Sequence, residues 1–220
     1  MDKEGINEGT IKAIVFDVGG VLMTGKKKKN PIKTIHAPGI HESAAKQLGL
    51  SLDQYFDSID TAYAKSMEGQ ISKNILLDTI SFNLNFPRKK IERIFTQVYK
   101  KTLKKNKWLY HVAAQLKKKG YKIIILSDQW HLSKDSLITK EDYSLFDKVI
   151  LSCDVGMRKP SKQIYNFLLE QVNLKPHQVL FIDNQEWNIV PANRLGMKTI
   201  LYVDNQKTKE QFAHYGIYVK

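Results

Sequence analysis

The chain has 220 residues, 42 % hydrophobic and 26 % charged, which suits one sizeable core, or a core plus a small accessory domain, and is the composition of a folded rather than a disordered protein. Its single cysteine, Cys153, excludes an intramolecular disulfide, and it contains no apolar run of about 18 residues that could cross a membrane. Asp2, Glu4 and Glu8 stand where a signal peptide needs positive charge, so the expected location is cytoplasmic, while the net charge of +13 draws polyanions, nucleic acid among them, without selecting one.

In chain order, the apolar run 13–16 followed by Asp17, Gly19 and Gly20 predicts a short buried strand running into a turn. Residues 24–31, which include the lysine run 26–29, read as an exposed loop. From about 41 to 107 the spacing is helical throughout, with helices expected at 41–48 (stopped by Gly49), 53–67, 72–84 and 87–103. Their apolar stripes include Tyr55, Phe56, Ile59, Tyr63 and Met67, then Ile75, Leu76, Ile80 and Leu84, then Ile91, Ile94, Phe95, Val98 and Leu103. Past Trp108 the pattern alternates. Helices are expected at 109–119, 132–140, 161–172, 186–195 and 207–214, with strands at 123–126, 148–151, 179–182 and 199–203.

Alternation of this kind predicts an α/β fold: a three-layer, Rossmann-like core around a parallel sheet with right-handed crossovers. Asp17, Ser127 and Asp183 each follow an apolar strand, so they should collect along the carboxyl edge of the sheet, where open α/β sheets bind ligands. The helical stretch is too long for a simple connection. It reads as an inserted all-helical cap over 31–107, with the core made of 11–30 and 108–220.

Acids, a hydroxyl and a lysine meeting at strand ends suit phosphoryl transfer. Asp17 is the candidate nucleophile, forming an aspartyl-phosphate that water later hydrolyses. Ser127 can hydrogen-bond a transferring oxygen, and Lys159, in Gly156-Met-Arg-Lys-Pro160, can neutralise its charge. Asp17 and Asp183 could bind Mg²⁺, which prefers oxygen ligands and lets a carboxylate approach a phosphate.

The order of these motifs resembles the haloacid dehalogenase-like superfamily, in particular its phosphatases with a helical cap after the first motif. The matching pieces are Phe16-Asp-Val-Gly-Gly-Val-Leu22, Leu126-Ser-Asp128, Gly156-Met-Arg-Lys-Pro160 and Phe181-Ile-Asp-Asn-Gln-Glu-Trp-Asn188. The resemblance implies a Mg²⁺-dependent hydrolase of a small phosphorylated metabolite, such as a sugar phosphate or nucleotide. Asp17 would be its nucleophile, Ser127 and Lys159 its phosphate clamp, and the Asp183–Asn184 corner, with Asp17, its metal site. Gly19 and Asp128 are further expected substrate contacts.

Three positions depart from the family pattern. Gly19 stands where a second acid usually protonates the leaving group, a service worth ~10²–10⁴-fold. Asn184 replaces an acidic metal ligand. Asp128 replaces an asparagine, and is expected either to restore negative charge near the ion or to orient a turn or cap a helix. These departures leave two alternatives: a catalytically impaired phospho-ligand or protein-binding member of the fold, or a metal-independent haloacid dehalogenase.

Other features are read structurally. Gly20 to Lys26 matches only part of a phosphate-binding loop, because Lys27 stands where a serine or threonine is needed. Phe95 and Tyr99, interleaved with the bases of 88–107, fall on the apolar stripe and are expected in the core rather than stacked on nucleic acid. Cys153 is expected to be a buried thiol and His131 a surface residue or a substrate contact. Trp130 and Trp187 are expected to wall the site.

Overall fold

Ala13, Ile14, Val15 and Phe16 are all fully buried and form strand β1 (Ala13–Phe16). The computed structural model describes residues 10–25 and 39–220. After β1 come β2 (Met23–Thr24), helices α1 (Ile40–Leu48), α2 (Leu52–Met67), α3 (Lys73–Leu84) and α4 (Arg88–Thr102), and β3 (Lys104–Lys105). The alternating half contains α5 (Lys107–Lys118), β4 (Lys122–Ser127), α6 (His131–Leu137), α7 (Lys140–Leu145), β5 (Lys148–Leu151) and α8 (Ser152–Val155). It ends with α9 (Lys162–Val172), β6 (Val179–Asp183), α10 (Glu186–Arg194), β7 (Lys198–Leu201) and α11 (Asn205–His214).

The five long strands form one parallel sheet in the order β5-β4-β1-β6-β7. Because β1 is central, the strand order reverses direction there, and its carboxyl end opens onto a crevice. Side chains alternate across the sheet. Ala13 and Val15 join Ile124, Leu126 and Phe181 in a core closed by Ile164, Leu168 and Val172 of α9. Ile14 and Phe16 face the other way, onto Leu109, Val112 and Leu116 of α5 and Phe212 of α11. The expected three layers are therefore present.

Among the described residues, everything between β2 and β3 is helical or turn. Gly49, at φ 74°, ends α1, and Ser51 opens α2 with a reciprocal capping box to Gln54. The buried stripe of α4 is the expected one, and it includes Tyr99, so neither Phe95 nor Tyr99 is available for stacking on nucleic acid. Trp130, just past β4, packs edge-on against Phe95 of α4 and Tyr63 of α2, with ring centroids 4.9 Å apart in both cases. One tryptophan thus ties the helical segment to the sheet edge.

Several expectations need correction. The helix expected over 132–140 stops at Leu137, and a second, unexpected helix, α7, begins at Lys140, capped by Thr139 with its own box to Asp142. Ile75 is 53 % and Phe56 39 % exposed, so the inward face of α3 runs through Leu76, Leu77 and Ile80, and that of α2 through Tyr55, Ile59 and Ala62. The last strand stops at Leu201, with Val203 exposed. The antiparallel pairing of β2 with β3, which joins the two ends of the helical segment, is too short to leave a pattern in the sequence. The lysine run 26–29 and the expected boundary near residue 30 lie outside the described residues. Val21 and Leu22 are fully buried, which removes the phosphate-loop reading of that turn. Among the described residues no helix is long and apolar enough to cross a membrane.

Candidate active site

Asp17 follows β1 immediately, and Ser127 and Asp183 are the last residues of β4 and β6, the two strands that flank β1. Phe16 pairs with Ile125 on one side and Ile182 on the other, so the three side chains emerge within two rungs of each other. Asp17 and Ser127 border a cleft of about 290 Å³ whose polar end also includes Asp128, Arg158, Lys159 and Asn184, with Asp183 buried behind it.

Lys159 is the centre of this polar end. Its ammonium donates to Asp17 Oδ1 at 2.9 Å and to Asp183 Oδ2 at 2.6 Å, and all three residues are buried. Both carboxylates hold the Lys159 ammonium well above the usual lysine range, despite the burial that opposes its charge. Burial pushes Asp17 up to about 6, with Asp183 adding to the rise, while Lys159 pulls against it. Two acids around one lysine leave a net negative centre. Its full ionisation is costly until more positive charge arrives.

The remaining hydrogen bonds separate the roles of the two acids. Asp183 Oδ1 accepts the Gln185 N–H at 2.8 Å, and Oδ2 accepts from Asn188 Nδ2 at 3.1 Å as well as from Lys159. Asp183 thereby holds Lys159 and the turn after β6. Asp17 gives only Oδ1 to Lys159, and its side chain keeps 9 % exposure toward the cleft. The Ser127 hydroxyl accepts from Gln129 Nε2 at 2.9 Å and steadies the Asp17 carboxylate. Gln129 is itself fixed, its N–H donating to Ser152 Oγ at 3.0 Å.

Asp128 does not cap the helix that follows it. Trp130, not Asp128, stands at the start of α6, and no side chain caps that helix. Asp128 Oδ1 instead accepts the Lys159 backbone N–H at 3.0 Å, and Oδ2 lies 3.6 Å from Arg158 Nε. It orients a turn, as one reading had it, but the turn is the distant one carrying the lysine. Burial raises its carboxyl above the usual range, against the pull of Lys159.

The two glycines after Asp17 differ. A side chain at Gly20, φ +85°, would run into Asn184, whose amide nitrogen would lie 2.5 Å from the new carbon. A side chain at Gly19 would meet nothing within 4 Å. Asn184 therefore lies directly on the backbone of the first motif, and the space where a second acid would stand is open.

Among the described residues there is no group of three or more His, Cys, Asp or Glu side chains arranged to hold a metal. The donors present are oxygens. The amide oxygens of Asn184 and Asn188 are buried with no hydrogen-bond partner among the described residues, and both side chains line the cleft beside Asp17. Orphaned buried acceptors need a cation or a donor. One carboxylate with neutral oxygens fits a hard ion that keeps several waters, which describes Mg²⁺.

Sequence reasoning passed over Asn188, Gln129 and Arg158. Asn188 lay at the end of the quoted fourth motif, and Arg158 is next to Lys159, so adjacency was the available signal. Nothing in the sequence marks Gln129. Trp130 and Trp187 both border the cleft, the first buried and the second 48 % exposed at its rim. His131 pairs with Ser66 of α2 at 2.8 Å and is not among the cleft-lining residues. Cys153 is buried, and that burial pushes its thiol up to about 12, which makes it an inert structural residue.

Sheet order, strand-edge acids and a buried lysine define an α/β enzyme centre at the carboxyl edge of the sheet. Residues 11–196 match the model of the haloacid dehalogenase-like hydrolases, and the chain belongs to that family. It is 34 % identical to mouse bifunctional epoxide hydrolase 2 over 158 residues, 69 % of this chain and 26 % of that one. The chain thus spans between 19 % and 26 % of the length of the bifunctional epoxide hydrolases it matches. Sesquiterpene phosphatase astK of Aspergillus oryzae is 23 % identical over 203 residues, covering 90 % of this chain and 93 % of the relative. Among solved structures, the haloacid dehalogenase family enzyme bt-2542 of Bacteroides thetaiotaomicron, in complex with magnesium and inorganic phosphate, superposes with a TM-score of 0.73. That match has 21 % identity and covers 92 % of this chain and 99 % of the other, a likeness of fold.

Proposed function

We propose that the protein is a Mg²⁺-dependent phosphomonoester hydrolase that works through an aspartyl-phosphate on Asp17. The observation that carries this reading is the asymmetric use of the two acids. Lys159 and the turn after β6 engage both oxygens of Asp183, whereas Asp17 keeps its exposed part for the cleft. A sesquiterpene phosphatase among the relatives and a structural neighbour that holds magnesium and phosphate support it.

In this mechanism an Asp17 oxygen attacks phosphorus as the bond from phosphorus to the leaving oxygen breaks. Lys159 and Ser127 donate to the phosphoryl oxygens as negative charge shifts onto them. Gly19 offers no acid, so the departing oxygen takes its proton from solvent. Water then attacks phosphorus, releases inorganic phosphate and restores the Asp17 carboxylate. Asp17 and the orphaned oxygen of Asn184 would hold Mg²⁺, with Asn188 close by, and the bound ion supplies the positive charge that this negative centre lacks. Helices α1 to α4 act as the cap that selects the substrate.

The test is turnover of p-nitrophenyl phosphate in Mg²⁺ and in EDTA, beside Asp17→Asn. The expected result is Mg²⁺-dependent turnover that falls at least ~10⁴-fold in the variant. The open space at Gly19 also suits a dehalogenase, which needs no leaving-group acid. Halide release from a 2-haloacid that persists in EDTA, with no phosphate release, would establish that reading instead.

A further inference from the structure

Building on the phosphatase reading above, we propose that the substrate is the phosphate monoester of a hydrophobic alcohol, not of a sugar or nucleoside. Beyond its charged end the cleft is walled by Ile40, Met67, Tyr99, Leu103, Trp130 and Leu137, each less than a tenth exposed. These come from α1, α2, α4 with the residue that follows it, and both ends of α6, so the wall is a continuous apolar surface set over the phosphate end.

The polar tips in this wall are turned on each other. Trp130 Nε1 donates to the Tyr99 hydroxyl at 2.7 Å, and His41 Nδ1 pairs with the Tyr55 hydroxyl at 2.8 Å. Ser133 Oγ donates to the Trp130 carbonyl at 3.0 Å. Tyr63 packs edge-on against Trp130, with ring centroids 4.9 Å apart. Among the described residues, then, the wall shows a bound molecule aromatic and aliphatic faces, and the Trp130, Tyr99, His41 and Ser133 polar groups are engaged within the protein. A sugar hydroxyl carried there would give up water without a replacement partner, which is costly. A methylene carried there gains by leaving water.

Family-typical small polar metabolites, expected from the sequence resemblance, are thus the wrong shape of chemistry for this cleft. The notable contrast is spatial: charge at the strand edge, none of it on the wall. That arrangement orients an amphiphile, phosphate down and chain outward.

Calorimetry with n-alkylphosphonates from methyl to octyl, in Mg²⁺, reads this directly, because no leaving group is involved. Affinity is expected to rise about fourfold per methylene until the chain fills the wall. A polyhydroxylated phosphonate the size of the hexyl compound should bind at least tenfold more weakly than it. Met67→Gln should flatten the rise; if that variant does not fold, the wild-type series still decides. A flat series, or a hydroxylated ligand that matches the hexyl one, overturns the inference. Turnover of p-nitrophenyl phosphate separates the two levels: its absence counts against the hydrolase, whereas a flat series beside active turnover counts against the hydrophobic substrate alone.

Discussion

The strand edge and the wall above it solve opposite problems. At the edge, three buried charges are held within hydrogen-bonding distance, and the balance of two acids to one lysine is unfavourable until a ligand arrives. In the wall, hydrogen bonds such as Trp130 to Tyr99 remove polarity from a surface that then packs like core. The contrast teaches that the edge is unstable by its own electrostatics and is held in place by what the wall and sheet contribute. Removing the lysine should break it most severely. Lys159→Met leaves Asp17 and Asp183 facing each other without a cation, and we expect it to destabilise the protein by about 3–5 kcal/mol at neutral pH. Urea unfolding would measure this. A loss under about 1 kcal/mol would mean that Lys159 does not hold the edge together.

A somewhat smaller effect follows from Asp17. Its carboxyl is pushed from an ordinary 3.8 up to about 6 in the folded chain, chiefly by burial. The sign follows from proton binding. Between those two values the folded form holds a proton that the unfolded form has lost, so stability falls as pH rises from about 4 to about 6 and levels off above. At about 1.4 kcal/mol per pH unit, the full fall is on the order of 3 kcal/mol. In EDTA, the melting temperature of Asp17→Asn should therefore gain on that of the wild type across this window. Lys159 still pairs with Asp183 in the variant. Parallel curves for the two proteins would refute the shift, and Mg²⁺ should reduce the wild type's deficit at pH 7.

Much of this was legible in the sequence, for physical reasons that differ by element. β1, β4 and β6 are short continuous apolar runs because a parallel sheet is buried on both faces, and each ends on a polar residue that the run makes conspicuous. The gathering of Asp17, Ser127 and Asp183 followed from the alternation of strands and helices, whereas Lys159 was picked out by its place in Gly156-Met-Arg-Lys-Pro160. What was not legible is which oxygen bonds to what. Asp128 reaches Lys159 across 31 positions, and Asp183 accepts from Gln185 and Asn188 through a turn whose shape no periodicity encodes. The apolar character of the wall was hidden too, since Trp130, Tyr99 and His41 are ambiguous residues until their polar tips are seen paired. Thr139 shows the same limit on a smaller scale: a capping threonine starts a new helix where one was expected to end.

The finest comparison is between Gly19 and Gly20, adjacent residues with opposite tolerances. At Gly20 the backbone is left-handed, and a new carbon would lie 2.5 Å from the Asn184 amide nitrogen. Gly20→Ala is expected to cost about 1–2 kcal/mol in stability and to weaken Mg²⁺ binding several-fold, because Asn184 has to move off the motif. At Gly19 nothing lies within 4 Å of a new carbon, so Gly19→Asp should fold with a melting temperature close to that of the wild type. Its carboxyl would occupy the position from which a leaving oxygen can be protonated, a role worth ~10²–10⁴-fold where it is well placed. An introduced acid without supporting partners should fall short of that range, giving roughly tenfold, and only for alkyl phosphates whose leaving oxygen needs the proton. p-Nitrophenyl phosphate, with its acidic leaving group, should show little change. An equal gain on both substrates would point to better metal binding by the added charge, and a fall on both would show that the open space at Gly19 belongs to the substrate itself.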